Sequence, residues 1–157
     1  MKKYLIVFLI SMVPLIELRG AIPYAVGFNL PTIPSYIVAV IGNMLPVPFI
    51  FLFARRILEW GRDKKYIGGF FTWCLKKGEK GGEKIQEKAG KGIYIALLLF
   101  VGIPLPGTGA WTGTLAASFL NLDFRKSVVF VMLGVILAGL IMLAASLGVF
   151  GAIHLFN

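Results

Sequence analysis

The chain has 157 residues, 58% of them apolar and 15% charged, with a mean hydropathy of +0.86, whereas soluble domains carry about 45–50% apolar and about 25% charged residues. Bilayer crossings of about 20 residues each limit it to about four or five spanning elements, so a single membrane domain over 1–157 is expected. The net charge of +9 would raise the question of nucleic acid in a soluble protein, but no RNA- or DNA-binding motif accompanies it.

The first apolar run, Tyr4 to Ile16, follows Lys2 and Lys3. It could be a signal peptide by length and charge, but no small-x-small cleavage site precedes Glu17, so it is expected to be retained. As a helix these 13 residues reach about 20 Å, short of the roughly 30 Å hydrocarbon core. Glu17, Arg19, Gly20 and Pro23 come next, and then an apolar stretch from Tyr24 to Leu30. A single helix through all of this would hold a carboxylate and a guanidinium near mid-bilayer with a proline in its interior. A re-entrant hairpin over 4–30 avoids part of that cost, because irregular backbone at membrane depth is tolerated where protein or a water-filled cavity covers it.

A span over 35–54 follows, interrupted by Asn43 and by Pro46-Val47-Pro48, which mark either a hinge or a kink that only shapes packing. Residues 55–92 then hold 11 of the 16 basic and 5 of the 7 acidic residues. A basic loop between apolar blocks is the positive-inside signature, which places 55–92 in the cytoplasm. Within it Ile67, Phe70, Phe71, Cys74 and Leu75 share one helical face flanked by lysines, as in an amphipathic helix lying in the interface. Residues 83–91 read as a solvated connector.

The second half repeats the plan, with a hairpin over 93–121 broken by Pro104-Leu105-Pro106-Gly107-Thr108-Gly109 and a span over 127–151. Pro14-Leu15 aligns with Pro104-Leu105, Gly20-Ala21 with Gly109-Ala110, and Asn29-Leu30 with Asn121-Leu122. One crossing per unit makes the second copy inverted relative to the first. The fold class is therefore an all-α integral membrane protein, an inverted repeat of re-entrant hairpin plus transmembrane helix, with the cytoplasmic amphipathic helix between. Four full spans are the alternative; each topology breaks the positive-inside rule once, and the short first runs favour the hairpins. Gly134, Ala138, Ala145, Gly148 and Ala152 in the last span offer close helix contact or a homodimer face.

Glu17 and Arg19 are the two charges well inside an apolar block and hence candidate functional residues. In an extended tip they share a side, where they either form a structural ion pair or act on a substrate or proton. Opposite them, Pro104, Pro106, Gly107 and Gly109 form either a plain turn or a tip at which the helix from Ala110 aims its free N–H groups toward mid-membrane. Such an end attracts anions, aided by Arg19, Gly20-Ala21, Thr108 and Thr112, while Trp111 either lines a substrate path or packs. A lone cysteine, a lone histidine (His154) and the absence of catalytic-triad or Walker patterns leave no expected metal site, cofactor or enzymatic activity.

On ELRGAIP, Glu17 to Pro23, and PLPGTGAWTG, Pro104 to Gly113, the chain resembles the small multidrug export family of prokaryotic membrane proteins over nearly its whole length. That family resembles the DedA, or VTT-domain, superfamily, whose members are linked to moving phospholipids or polyprenyl-phosphate carriers with proton coupling. The resemblance implies a bacterial or archaeal cytoplasmic membrane and Glu17 as the acidic residue of the first hairpin; the second motif lacks the arginines of DedA proteins. The expected function is a secondary transporter or flippase of an anionic lipid carrier such as polyprenyl phosphate, with Glu17 exchanging a proton. The alternatives are an exporter of hydrophobic cations, with Glu17 as counter-ion, and a membrane scaffold without transport.

Overall fold

The structure, a computed structural model, describes residues 2–62, 68, 69, 72, 76, 90 and 92–156. Among these residues it is all-helical: α1 (Lys2–Met12), α2 (Glu17–Gly27), α3 (Thr32–Met44), α4 (Pro46–Arg62), α5 (Gly92–Gly102), α6 (Ala110–Phe119) and α7 (Phe124–Phe156). The interfacial helix expected over 67–75 and the connector over 83–91 lie largely outside the described residues.

Pro14 stops α1, and Leu15 (φ 69°) and Glu17 (φ 51°) turn the chain through left-handed conformations into α2. The first break is therefore tighter than the sequence implied. It closes at Glu17, and Gly20 and Pro23 belong to α2, not to the break. Pro23 inside that helix leaves the Arg19 carbonyl without its usual i+4 donor. In the second half the non-helical stretch is longer, running from Ile103 to Gly109.

Among the described residues two helices are long and apolar enough to cross a bilayer, Thr32–Arg62 with mean hydropathy 2.2 and Phe124–Ala152 with 2.9. Both exceed the expected limits of 35–54 and 127–151. Arg55 and Arg56 are good helix formers, so α4 runs on into what had read as connector. Only Leu45 separates α3 from α4, with αR dihedrals, and Pro46 and Pro48 occupy the first and third positions of α4, where a missing N–H is tolerated.

The packing scheme of one half recurs in the other. α1 packs on α3 as α5 packs on α7, while the second helix of each pair crosses to the long helix of the opposite half, α2 to α7 and α6 to α4. Residues 92 positions apart share backbone detail. Asn29 (φ 51°) and Asn121 (φ 54°) end α2 and α6 in the same left-handed cap, with Leu30 and Leu122 donating to Ala25 and Ala117. Leu15 and Glu17 match Gly107 and Gly109 in positive φ at the same spacing. The second helices thus align at 92, which shifts the partner of Gly20-Ala21 from Gly109-Ala110 to Thr112-Gly113.

Close approach of the helices rests on glycine at equivalent places. A Cβ at Gly42 would lie 2.7 Å from the Phe8 carbonyl, and one at Gly134 would lie 2.7 Å from Val101 Cβ and 2.8 Å from the Leu98 carbonyl. The buried core is made largely of small and β-branched residues, including Val7, Ala21, Ala39, Val47, Ala117, Val131 and Val135. Large apolar side chains such as Phe49, Phe53, Leu140 and Val149 face outward, an exterior suited to lipid. Of the small residues in the last span, Gly134 and Ala138 pack inside the chain, whereas Ala145, Gly148 and Ala152 are exposed.

Gly134→Ala should destabilise the protein by about 1–3 kcal/mol through overpacking against Val101. Gly148→Ala, where nothing lies within 4 Å, should leave stability unchanged or slightly raised. Unfolding midpoints in detergent check the pair, and equal shifts would contradict the close packing of α5 on α7.

Candidate functional site

The N-terminus of α6 points its unpaired backbone donors at the first break, and no side chain of its own half caps it: the N-cap is Gly109, with φ 146°. The cap comes from Glu17 in the other half. Its carboxylate accepts from the Ala110 N–H at 3.2 Å and the Trp111 N–H at 3.0 Å, and the residue is only 4% exposed. A carboxylate at the positive end of a helix dipole, with both oxygens engaged, is the arrangement of an anion-binding helix end. The site expected to attract a substrate anion is therefore occupied by the protein's own acidic group.

Gly109 makes this approach possible. A Cβ there would lie within 2.8 Å of the Glu17 carboxyl carbon, and its φ of 146° disfavours any other residue. Glu17 and Gly109 are themselves 92 positions apart, so equivalent positions of the two halves meet at this contact.

Arg19 reaches the same break by another route. Its guanidinium donates to the Leu105 carbonyl and, at 2.8 Å, to Thr108 Oγ1. The Thr108 hydroxyl lies 2.9 Å from the carbonyls of Ile103 and Leu105 and can donate to one at a time. No hydrogen bond or ion pair joins Glu17 to Arg19; each crosses to the opposite half, so the ion-pair reading is corrected. The reason is local geometry. Glu17 and Arg19 stand in the first turn of a helix, where residues two apart diverge, and not in an extended tip. Trp111 adds a further tie, its indole N–H donating to the Met12 carbonyl at 3.2 Å.

The other expected site residues separate from this cluster. A Cβ at Gly20 would overlap the Ile16 side chain, so Gly20 serves packing within its own helix pair. Thr112 bonds back to Gly109 at 3.4 Å, and Gly107 (φ 82°) faces open space and serves the turn, flanked by Pro104 and Pro106. Asn43 is 1% exposed, and among the described residues its Oδ1 lacks any hydrogen-bond donor. The acceptors that sequence reasoning missed are the Met12 and Leu105 carbonyls, backbone atoms at the breaks, Met12 two residues before Pro14 and Leu105 between Pro104 and Pro106.

The profile of the family described as "Putative small multi-drug export protein" matches residues 17–141, and the chain belongs to that family. Its two long apolar helices and this membership make it a membrane protein. Comparison with curated proteins and with solved structures gives no match.

Replacing Glu17 by Ala should lower stability by about 2–4 kcal/mol, because two hydrogen bonds to a charged group are lost and a buried helix end is left bare. Leu15→Gly should instead maintain or raise it: the Leu15 side chain is 73% exposed and its backbone is held at φ 69°. Thermal or denaturant unfolding in detergent reads both.

Proposed function

We propose that this family member is a secondary exporter of small amphipathic cations, in which Glu17 exchanges its helix cap for a proton or for the cationic substrate. The observation that carries this is the bidentate cap: the one carboxylate within the apolar blocks holds α2 against the N-terminus of α6 across the two halves. Protonation removes its charge and weakens both hydrogen bonds; a cation drawing on the same oxygens competes with the two N–H groups. Either event loosens the junction, and because one carboxylate cannot serve both at once, the two are exchanged. Trp111, bonded to the first break and adjacent to Glu17, offers an aromatic face for the apolar part of the substrate.

In this reading the helix pairs α1–α2 and α5–α6 enter the bilayer from opposite faces as an inverted repeat, the long helices α3–α4 and α7 cross it, and the basic segment after Arg62 lies in the cytoplasm. The Leu45 break between α3 and α4 supplies a place for α4, packed on α6, to move when the cap opens.

A second reading, transport of an anionic lipid carrier such as polyprenyl phosphate, is favoured by Arg19. Its guanidinium meets a carbonyl and a hydroxyl but no carboxylate, so its charge stays available to a phosphate.

Proteoliposomes with an imposed pH gradient separate the two. Efflux of a lipophilic cation should fall roughly 10–100-fold in Glu17→Gln, the range set by one charge-assisted hydrogen bond of about 1.5–3 kcal/mol, and should be little affected in Arg19→Gln. Flipping of labelled polyprenyl phosphate that needs Arg19, with no cation efflux, would establish the second reading instead. Topology has its own test, labelling of single cysteines in Thr32→Cys and Arg125→Cys on a Cys74→Ala background. The inverted arrangement puts them on opposite sides of the membrane; labelling from the same side would support four full crossings.

A further inference from the structure

We propose that the surface around the first turns of α5 and α7 seats an anionic phospholipid, its phosphate at Lys126 and Tyr94 and one acyl chain in the groove between α5 and α6. A cavity of about 980 Å³ opens there, lined by Tyr94, Asp123, Lys126 and Phe130 among others, a size that suits a phospholipid headgroup. Its described lining carries one ammonium, Lys126, and one carboxylate, Asp123. The Lys126 ammonium lies 5.8 Å over the Tyr94 ring and makes no ion pair among the described residues. Asp123, the carboxylate facing it, is engaged in capping α7, with Oδ1 accepting from the Lys126 N–H at 2.9 Å. The Tyr94 hydroxyl accepts from the Asp123 N–H at 3.3 Å, so its own proton is directed elsewhere, and no acceptor for it occurs among the described residues.

Arg125 and Lys126 sit in the first turn of α7, at the positive end of its dipole, where basic side chains oppose the helix field. An anion bound beside them reverses that conflict. Basic pockets between membrane helices on the cytoplasmic side bind anionic lipid headgroups by direct charge attraction.

The apolar part has its own place. A groove of about 280 Å³ runs between α5 and α6, lined by Ile93, Ala96, Leu97, Phe100, Ala116 and Leu120. Its walls interleave along the chain with those of the cavity, Ile93 beside Tyr94 and Leu122 beside Asn121 and Asp123. From Ile93 to Phe100 the groove extends about 10 Å along α5, the length of the upper part of an acyl chain. The site is separate from Glu17 and does not depend on the transport reading.

Purified protein in detergent, analysed by native mass spectrometry and thermal unfolding, tests this with phosphatidylglycerol, phosphatidylcholine and deacylated glycerophosphoglycerol as probes. Phosphatidylglycerol should be retained over phosphatidylcholine by about fivefold, the weight of one basic side chain against an anionic headgroup, and should raise the unfolding midpoint. Lys126→Gln should abolish that preference. Ala96→Leu, or Ala116→Phe if it folds, should weaken retention of both lipids while leaving the preference intact. Equal retention of the two lipids by the native protein, a preference that survives Lys126→Gln, or equal binding of the deacylated headgroup would overturn the proposal.

Discussion

A helix that starts in the interior of a membrane protein presents backbone N–H groups where no water can satisfy them, and the rest of this structure is arranged around that demand at Ala110 and Trp111. Glu17 meets it from the other half of the chain. The bond is favourable to both sides: the carboxylate gains two donors and a helix dipole for its buried charge, and the helix end gains an acceptor. Because the partners lie more than 90 residues apart, the contact also determines how the two halves sit against each other. Gly109 admits the carboxylate, and Arg19 and Trp111 stitch the same seam on either side.

The likeness of the halves makes one of their differences informative. Caps, turn dihedrals and glycine contacts recur at a spacing of 92, yet the position that is Glu in the first half is Gly in the second. Two carboxylates facing each other would repel, and two glycines would leave the helix end uncapped. A junction of this kind needs unlike residues at equivalent positions, and a repeat fused in one chain can supply them. The first break holds Leu15 and Glu17 at positive φ where the second uses glycine, so backbone strain is concentrated beside the carboxylate.

Packing around this seam leaves the outside to lipid. Small and β-branched residues fill the contacts between helices, and the large apolar side chains point away from them. Inside a bilayer an apolar exterior gives helices little reason to associate, so close van der Waals contact at Gly42 and Gly134 and hydrogen bonds at the breaks carry the tertiary fold. The cavity beside Tyr94 and Lys126 is a different kind of surface, one where charge and apolar groove adjoin.

Local chemistry was enough to read the membrane class, the helical content, the two interrupted helix pairs and the singularity of Glu17 and Arg19 as charges within an apolar block. Run length, prolines, glycines and stranded charges are properties of adjacent residues, and they act wherever the chain goes. The limits of the elements were less legible: α2 starts at Glu17 and absorbs Pro23, and α4 continues past Arg55 and Arg56, because helix propensity and a left-handed entry outweighed the apparent breakers. The partners of the two charges could not be read in this way. Glu17 and Arg19 looked like a pair because they are neighbours in sequence, but a helical first turn separates them and the packing of α2 and α6 across the halves supplies other partners. Most of these are backbone N–H and C=O groups, which every residue carries alike, so only the folded chain shows which of them stand within reach.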